Sequence, residues 1–408
     1  MSESLLPTQR DLLIVGGGYV GLPLALLAGG KGRTVIVFDI STSRCEQLKN
    51  AQSGFGRRED EQLAHLLEEQ TLQVVDLDDF NSRASSFKFS DIVICVPTPT
   101  NEDKVPDLSY VEQAVDSILK VLDKETLLVL ESSTFPGTTR EIVLPKIMSN
   151  LSYIDESEIL LAYSPERVDP GNKEWNSSNT PRLVSGINAK SLKRSVDFYT
   201  NLGIPVHEVS SPEIAEAAKL FENSFRLVNI SFVNEFTSVM RRLGLDPLEI
   251  IGAANTKPFG IMRFHPGPGI GGHCIPVDPY YLTWWSEKKK LGFEIIKAAQ
   301  EINEQMPKEA VRRIKQVLGE NLADKRILLA GVTYKPGIAD LRETPAEGIW
   351  AALKAEGSSL NWWDPLVESW RERTRWSAGL DVDLVVIVTD TELPVEISRS
   401  TRILNLNS

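Results

Sequence analysis

Cys274 stands in HPGPGIGGHCIPVDPYY, residues 265 to 281. Four glycines and four prolines exclude a regular helix or a central strand there. They predict a tight loop whose backbone comes close to something. A thiolate held in such a loop is a good nucleophile toward an aldehyde. The surrounding glycine amides can stabilise a developing oxyanion. Asp278, Lys219 and His273 are the groups that could then affect proton transfer. The rival chemistry is zinc held by His265, His273 and Cys274, but that spacing matches no usual zinc pattern, so no metal is expected. Lys219 and Asn223 lie four residues apart on a predicted helix, hence on one face, among Ala215, Ala218, Leu220 and Phe221. Site residues fit that placement; so does a surface lysine paired with Glu216 or Glu222.

A second chemistry is legible near the N-terminus. Gly16, Gly18 and Gly21 fit GxGxxG in GGGYVG, with Tyr19 and Val20 between them, after the apolar run LLIV and before a helical stretch. That context is the one dinucleotide binding requires: a tight turn, room for a pyrophosphate, and close helix packing. Asp39 closes the next predicted strand, 18 residues after Gly21, where a carboxylate accepts from ribose hydroxyls. An acid there disfavours a 2′-phosphate, so the expected cofactor is NAD. Pro97, Thr98 and Thr100 in VPTPT follow another strand and are cofactor-lining candidates. Thr134 in ESSTFPGTT, and Glu166 and Arg167 in AYSPERVDPGN, also follow predicted strands, so they point at the carboxyl edge of the sheet.

The elements that must position these residues alternate strand and helix from residue 11 to 188, which predicts a doubly wound, mainly parallel sheet. Residues 182–188 read as its last strand. From Ser210 to about Leu243 one long uninterrupted helix is expected, with Pro212 in its first turn. Helices follow at 246–254 and 292–318. A second, smaller α/β unit closes the chain, with strands near 326, 359, 382 and 401. The fold class is therefore α/β: two Rossmann-like doubly wound domains joined by a long central helix. The expected boundaries are 1–205, 206–305 and 306–408. With 408 residues, 42% hydrophobic and 25% charged, the composition is that of a globular protein. A net charge of −12 without a basic cluster argues against nucleic acid or an anionic membrane as partner. Three scattered cysteines, no apolar run of membrane-spanning length and a polar N-terminus predict a cytoplasmic protein.

Taken together, GGGYVGLPLA, VPTPT, SSTFPGTT, SPERVDPGN, AKLFENSFRLVNISFVNE, GPGIGGHCIPVDPYYL and GVTYKPGIADLRETPA resemble the UDP-glucose/GDP-mannose dehydrogenase family, over nearly the whole chain. The resemblance implies oxidation of a UDP-sugar C6 alcohol to the acid, with two NAD+ reduced through a thiohemiacetal and a thioester. By the same resemblance Cys274 is the nucleophile and Glu166 the base for thioester hydrolysis. Lys219 and Asn223 stabilise the alkoxide, Asp278 pairs with Lys219 or activates water, and Thr134 positions that water. Lys335 and Arg342 are implied diphosphate or uridine contacts, and Arg167, Arg263 and Gly271 are further candidate substrate contacts. A homodimer through the long helix is implied as well. SPERVDPGN and GGHCIPVDPYYLTW are similar to the N-acetylhexosamine branch, which favours UDP-N-acetylglucosamine over UDP-N-acetylmannosamine, with UDP-glucose third. Two departures stand out. The text between Asp364 and Asp381 is short for a full crossover, and Arg263 is more charged than expected. A two-electron hydroxyacid or alcohol dehydrogenase and a non-catalytic nucleotide-sugar or NAD binding protein remain the competing readings.

Overall fold

The structure is a computed structural model that describes residues 11–151, 154–168, 172, 174–176, 178–397 and 401–408. Asp169, Pro170 and Gly171 of SPERVDPGN lie outside the described residues. The chain divides into two compact units, residues 1–220 and 221–408.

Six strands build the sheet of the first unit: β1 (Asp11–Val15), β2 (Val35–Phe38), β3 (Leu72–Val75), β4 (Phe89–Ile94), β5 (Leu127–Leu130) and β6 (Leu161–Tyr163). They lie in the order β3-β2-β1-β4-β5-β6, all parallel, so the strand order reverses between β1 and β4. Ligands bind in the crevice at such a reversal. Leu12, Leu13, Ile14 and Val15 are all buried, because helices cover both faces of a parallel sheet. The strand expected at 182–188 is split. β7 (Arg182–Val184) pairs with β8 (Val206–Glu208) in a separate two-stranded sheet. Ser185 and Ile187 then donate backbone bonds to Tyr163 and Leu161 of β6. After β5 the chain forms a π turn, Thr139–Val143, before the α-helix Leu144–Asn150.

The long helix runs without a break from Pro212 to Arg242, 31 residues, with Glu213 in its first turn and Arg241 and Arg242 in its last. Those charges complement the helix dipole. Helices Pro247–Ala254, Asp278–Lys288 and Glu294–Leu318 follow. The closing sheet is β9 (Arg326–Ala330), β10 (Ser359–Trp363), β11 (Leu384–Ile387) and β12 (Arg402–Asn405), ordered β10-β9-β11-β12 and parallel. Between β10 and β11 the chain forms no helix. Buried Trp370 and Trp376 fill that place beside Trp362 of β10. The Arg373 guanidinium sits 3.9 Å from the Trp370 ring centroid and 5.0 Å from that of Trp350.

Candidate active site

Each fingerprint glycine has its own reason. Gly16 adopts φ +102°, and a Cβ there would lie 2.7 Å from the Cys95 carbonyl oxygen. A Cβ on Gly21 would lie 2.0 Å from the Gly16 oxygen, so only glycine lets the helix Gly21–Gly30 start this close to β1. A Cβ on Gly18 would meet nothing within 4 Å. Protein packing therefore does not demand glycine at 18, whereas a pyrophosphate approaching the backbone does. Asp39 is held in place: Gly17 N–H donates to its Oδ2 at 2.8 Å and Ser41 N–H to its Oδ1 at 2.8 Å. Arg44, which sequence reasoning missed, donates from Nε to the Gly17 carbonyl at 2.9 Å and braces the turn. Tyr19 meets Phe55 edge to face at 5.0 Å, while Val20 packs on the core. Pro97 is exposed, and Thr98 and Thr100 are half-buried just beyond β4. These residues fit a bound NAD, whose nicotinamide accepts hydride.

Three of the expected groups are buried or half-buried in the first unit. Thr134 is fully buried, and its Oγ1 has no hydrogen-bond partner among the described residues. Glu166 Oε1 accepts from the backbone N–H groups of Arg167 and Val168, each at 2.8 Å, and Oε2 accepts from Arg182. Burial pushes the Glu166 carboxyl up. The Arg182 guanidinium, the two N–H groups and the Lys219 ammonium outweigh it, and hold the group below the ordinary glutamate range. Lys219 is buried on the long helix, 9% exposed. The Arg167 guanidinium donates to the Pro181 carbonyl at 2.8 Å. Two further groups, Glu131 and Arg182, escaped sequence reasoning, and Glu216, weighed only as a surface partner of Lys219, is fully buried. Glu131 carried a signal, an acid ending the buried run TLLVL. Glu216, three residues before Lys219, accepts from Gly137 N–H at 2.6 Å, Thr139 N–H at 2.9 Å and Thr139 Oγ1 at 2.7 Å.

In the second unit Asn223 and Asp278 meet: Asn223 Nδ2 donates to Asp278 Oδ2 at 2.6 Å, and both side chains are buried. Cys274 is half-buried, and its carbonyl accepts from the N–H groups of Val277 and Asp278 as the helix Asp278–Lys288 begins. Two asparagines missed in the sequence pin the loop before it. Asn234 Oδ1 accepts from Gly267 N–H at 2.9 Å, and Asn303 Oδ1 from Ile270 N–H at 2.8 Å. The loop glycines answer a close approach. A Cβ on Gly271 would lie 2.8 Å from Pro345 and 2.9 Å from the Glu343 carbonyl oxygen, and one on Gly272 would lie 2.9 Å from the Tyr334 ring. Gly272 N–H also donates to the Arg342 carbonyl at 3.1 Å. The thiol loop is thus docked on the first turn of the closing sheet. Of the expected substrate contacts there, Lys335 is half-buried. The Arg342 fork is engaged by Asp340, with Nη2 to Oδ2 at 2.6 Å, so an anion would have to share it. Arg263 is exposed. No group of three or more His, Cys, Asp or Glu among the described residues is placed to hold a metal.

Family models match the chain in three consecutive stretches: the NAD binding domain of the UDP-glucose/GDP-mannose dehydrogenase family over residues 10–202, its central domain over 213–305, and its UDP binding domain over 328–394. Protein CapL of Staphylococcus aureus is 35% identical over 92% of this chain and 86% of its own length. A UDP-N-acetyl-D-glucosamine 6-dehydrogenase of Pseudomonas aeruginosa is 34% identical over 88% of this chain and 84% of its own. Among solved structures, a UDP-D-ManNAc dehydrogenase of Pyrococcus horikoshii superposes with a TM-score of 0.81 at 29% identity, covering 94% of this chain and 90% of that one. The chain belongs to the UDP-glucose/GDP-mannose dehydrogenase family and is an NAD-dependent oxidoreductase of that family.

Proposed function

We propose that the chain oxidises the C6 hydroxyl of a UDP-N-acetylhexosamine, UDP-N-acetylglucosamine before UDP-N-acetylmannosamine, to the uronic acid in two NAD-dependent steps. The observation that carries this reading is Cys274 in a loop held by Asn234 and Asn303, followed within one turn by the Asp278–Asn223 pair. An alcohol dehydrogenase that stops at the aldehyde needs no such thiol. The relatives' specificities and the SPERVDPGN and GGHC text support the N-acetylhexosamine choice.

In the first step C6 loses a hydride and its hydroxyl proton, and Lys219 with Asn223 stabilises the developing alkoxide. Cys274 Sγ then adds to the aldehyde carbon, giving a thiohemiacetal. That adduct loses a second hydride and a proton and becomes a thioester. Water, positioned by Thr134 and deprotonated by Glu166, attacks the acyl carbon; the C–S bond breaks and Cys274 recovers its proton. Asp278, through Asn223, orients the amide against the reacting oxygen. Lys335 and Arg342 face the diphosphate in this reading, with Gly271, Arg167 and Arg263 as further substrate contacts. A few such cations near the phosphates suffice for a protein of net charge −12 to take an anionic substrate. The domain reading is 1–205 for NAD, 206–305 for the centre and 306–408 for UDP.

The deciding measurement is NADH formed per molecule of UDP-sugar, across UDP-N-acetylglucosamine, UDP-N-acetylmannosamine and UDP-glucose. Two per sugar, with acid as product, is expected for an N-acetylhexosamine. One per sugar with released aldehyde overturns the thioester route, and binding without NADH from any sugar points to the non-catalytic reading.

A homodimer through the long helix belongs to the same proposal. Phe221 is 67% and Phe232 61% exposed along that helix, an apolar display that water disfavours. Phe232→Glu is expected to shift the sedimentation coefficient from dimer toward monomer at micromolar concentration. A variant that sediments like the unaltered protein removes this face from the interface.

A further inference from the structure

Glu166 is served by a buried group of side chains that the reaction itself does not use. Arg182, the first residue of β7, is 3% exposed and lies between two carboxylates. Its Nη1 is 2.7 Å from Glu131 Oε1, and its Nη2 donates to Glu166 Oε2. Glu131, just beyond β5, has two further donors: Tyr199 OH at 2.5 Å on Oε1 and Cys95 Sγ at 3.6 Å on Oε2. The Tyr199 ring lies 5.0 Å from the guanidinium carbon. Two strand ends and one helix thus converge on one cation. A carboxylate has about four acceptor directions, two on each oxygen. On Glu166 the backbone N–H groups of Arg167 and Val168 take both on Oε1, and Arg182 takes one on Oε2. One direction, on Oε2, is left over among the described contacts.

We propose that Arg182 and Glu131 are positioning residues for Glu166: Arg182 clamps the carboxylate so that a single lone pair of Oε2 meets the hydrolytic water, and Glu131, with Tyr199 and Cys95, locks the clamp. The proposal rests on the reading of Glu166 as the base of thioester hydrolysis. Burying one guanidinium between two carboxylates costs more than apolar side chains of equal volume would. Orientation of a catalytic base accounts for that cost. The fork matters as well as the charge. Guanidinium nitrogens reach both carboxylates at once from a fixed plane, an orientation that a rotating ammonium does not hold. The charged and titratable groups facing Glu166 in this unit are Arg182 and Lys219, with Glu131, Tyr199 and Cys95 behind the guanidinium. Arg182 and Lys219 keep Glu166 ionised, and Glu131 competes for the guanidinium. Burial drives the Glu131 carboxyl up, Arg182 pulls it back, and Glu166 pushes it up again.

The test uses the full chain with NAD and the turned-over UDP-sugar between pH 6 and 9, with acid-quenched samples weighed for an acyl adduct on Cys274. Arg182→Lys is expected to slow hydrolysis at least about tenfold at pH 6, which requires the loosened carboxyl to be no more than about one-tenth ionised there. The acyl adduct accumulates, and the rate recovers to within about threefold by pH 9, once the loosened carboxyl ionises. A loss of rate equal at all pH values, or an unchanged profile, overturns the proposal, because a purely structural role does not create recovery at high pH. Should Arg182→Lys not fold, the near-isosteric Glu131→Gln decides. It removes the charge that locks Arg182 while leaving the guanidinium to Glu166 alone, so the acyl adduct must accumulate while the acid limb moves no higher; hydrolysis at the unaltered rate, or an acid limb moved to higher pH, overturns the proposal. Glu166→Gln separates the two claims. Unchanged hydrolysis in that variant defeats the assignment of Glu166 itself. An adduct that accumulates in Glu166→Gln but not in Arg182→Lys defeats only the positioning roles.

Discussion

Cys274→Ser is expected to lower acid formation by about 10³-fold or more while leaving NAD and UDP-sugar affinity within about threefold. In the proposed route the first hydride transfer draws on Lys219 and Asn223, not on sulfur, so the variant is expected to make up to one NADH per sugar. The second transfer needs a tetrahedral adduct at C6. A serine hydroxyl, far less acidic than a thiol and with no base assigned to it, captures the aldehyde poorly. The readout is a pre-steady-state NADH trace together with trapping of released aldehyde. Because Cys274 is half-buried and oxygen is smaller than sulfur, melting should move little. Acid formed at the unaltered rate would remove the thioester from the mechanism, because the aldehyde would then reach the acid without sulfur.

Glu216→Ala is expected to be the most destabilising single change in the first unit. It strips the acceptor from three donors, Gly137 N–H, Thr139 N–H and Thr139 Oγ1, in a place without exposure. Unpaired buried donors of this kind cost on the order of 1–3 kcal/mol each when water cannot reach them. A combined loss of about 4 kcal/mol at pH 5 corresponds to a melting midpoint lower by about 8–15 °C for a unit of this size. The pH dependence has a definite sign. Burial pushes the Glu216 carboxyl from its ordinary 4.5 up to about 7, against the pull of its three hydrogen bonds. A carboxyl raised on folding contributes stability that is full below about 4.5 and lost as the pH climbs through 7. The penalty of Glu216→Ala should therefore shrink by about 2–3 kcal/mol between pH 5 and pH 8. Chemical denaturation at the two pH values measures it. A penalty that grows with pH would mean that the ionised carboxylate is the stabilising form.

The parts of this molecule that the sequence announces are those encoded within a few neighbouring residues. LLIV followed by GGGYVG specifies strand, turn and helix locally. The run from Pro212 to Arg242 has no glycine or internal proline to stop it. The parallel order β3-β2-β1-β4-β5-β6 follows from repeated strand–helix alternation and the handedness of crossovers. β3 and the helices around it were not read, because the intervening text is polar and amphipathic with little glycine punctuation. β8 went unread too, since Val206–Glu208 is short and two of its three residues are exposed. In the candidate site, the thiol, the lysine–asparagine pair and the acid after β6 were visible as residue types in telling places. Their supports were not. Glu216 finds Gly137 across 79 residues and Asn234 finds Gly267 across 33. An acid or amide in a helix looks the same in sequence whether it faces solvent or caps a distant turn. Only the fold distinguishes them.

The tryptophan cluster that replaces the crossover helix has an optical consequence. Five of the eight tryptophans, at 350, 362, 363, 370 and 376, belong to the closing sheet, its helix Pro345–Ala355 and its covering loop. Trp350 meets Trp370 at 5.3 Å, Trp362 meets Trp370 at 6.1 Å and Trp363 meets Trp376 at 6.3 Å, each nearly perpendicular. Indoles this close share excitation, and the Arg373 and Arg375 guanidinium groups that lie over them impose a fixed local field. The chain's ultraviolet emission and near-ultraviolet circular dichroism are therefore weighted toward the UDP-binding end. That end carries a built-in chromophore, and no label is needed to watch it respond to a nucleotide.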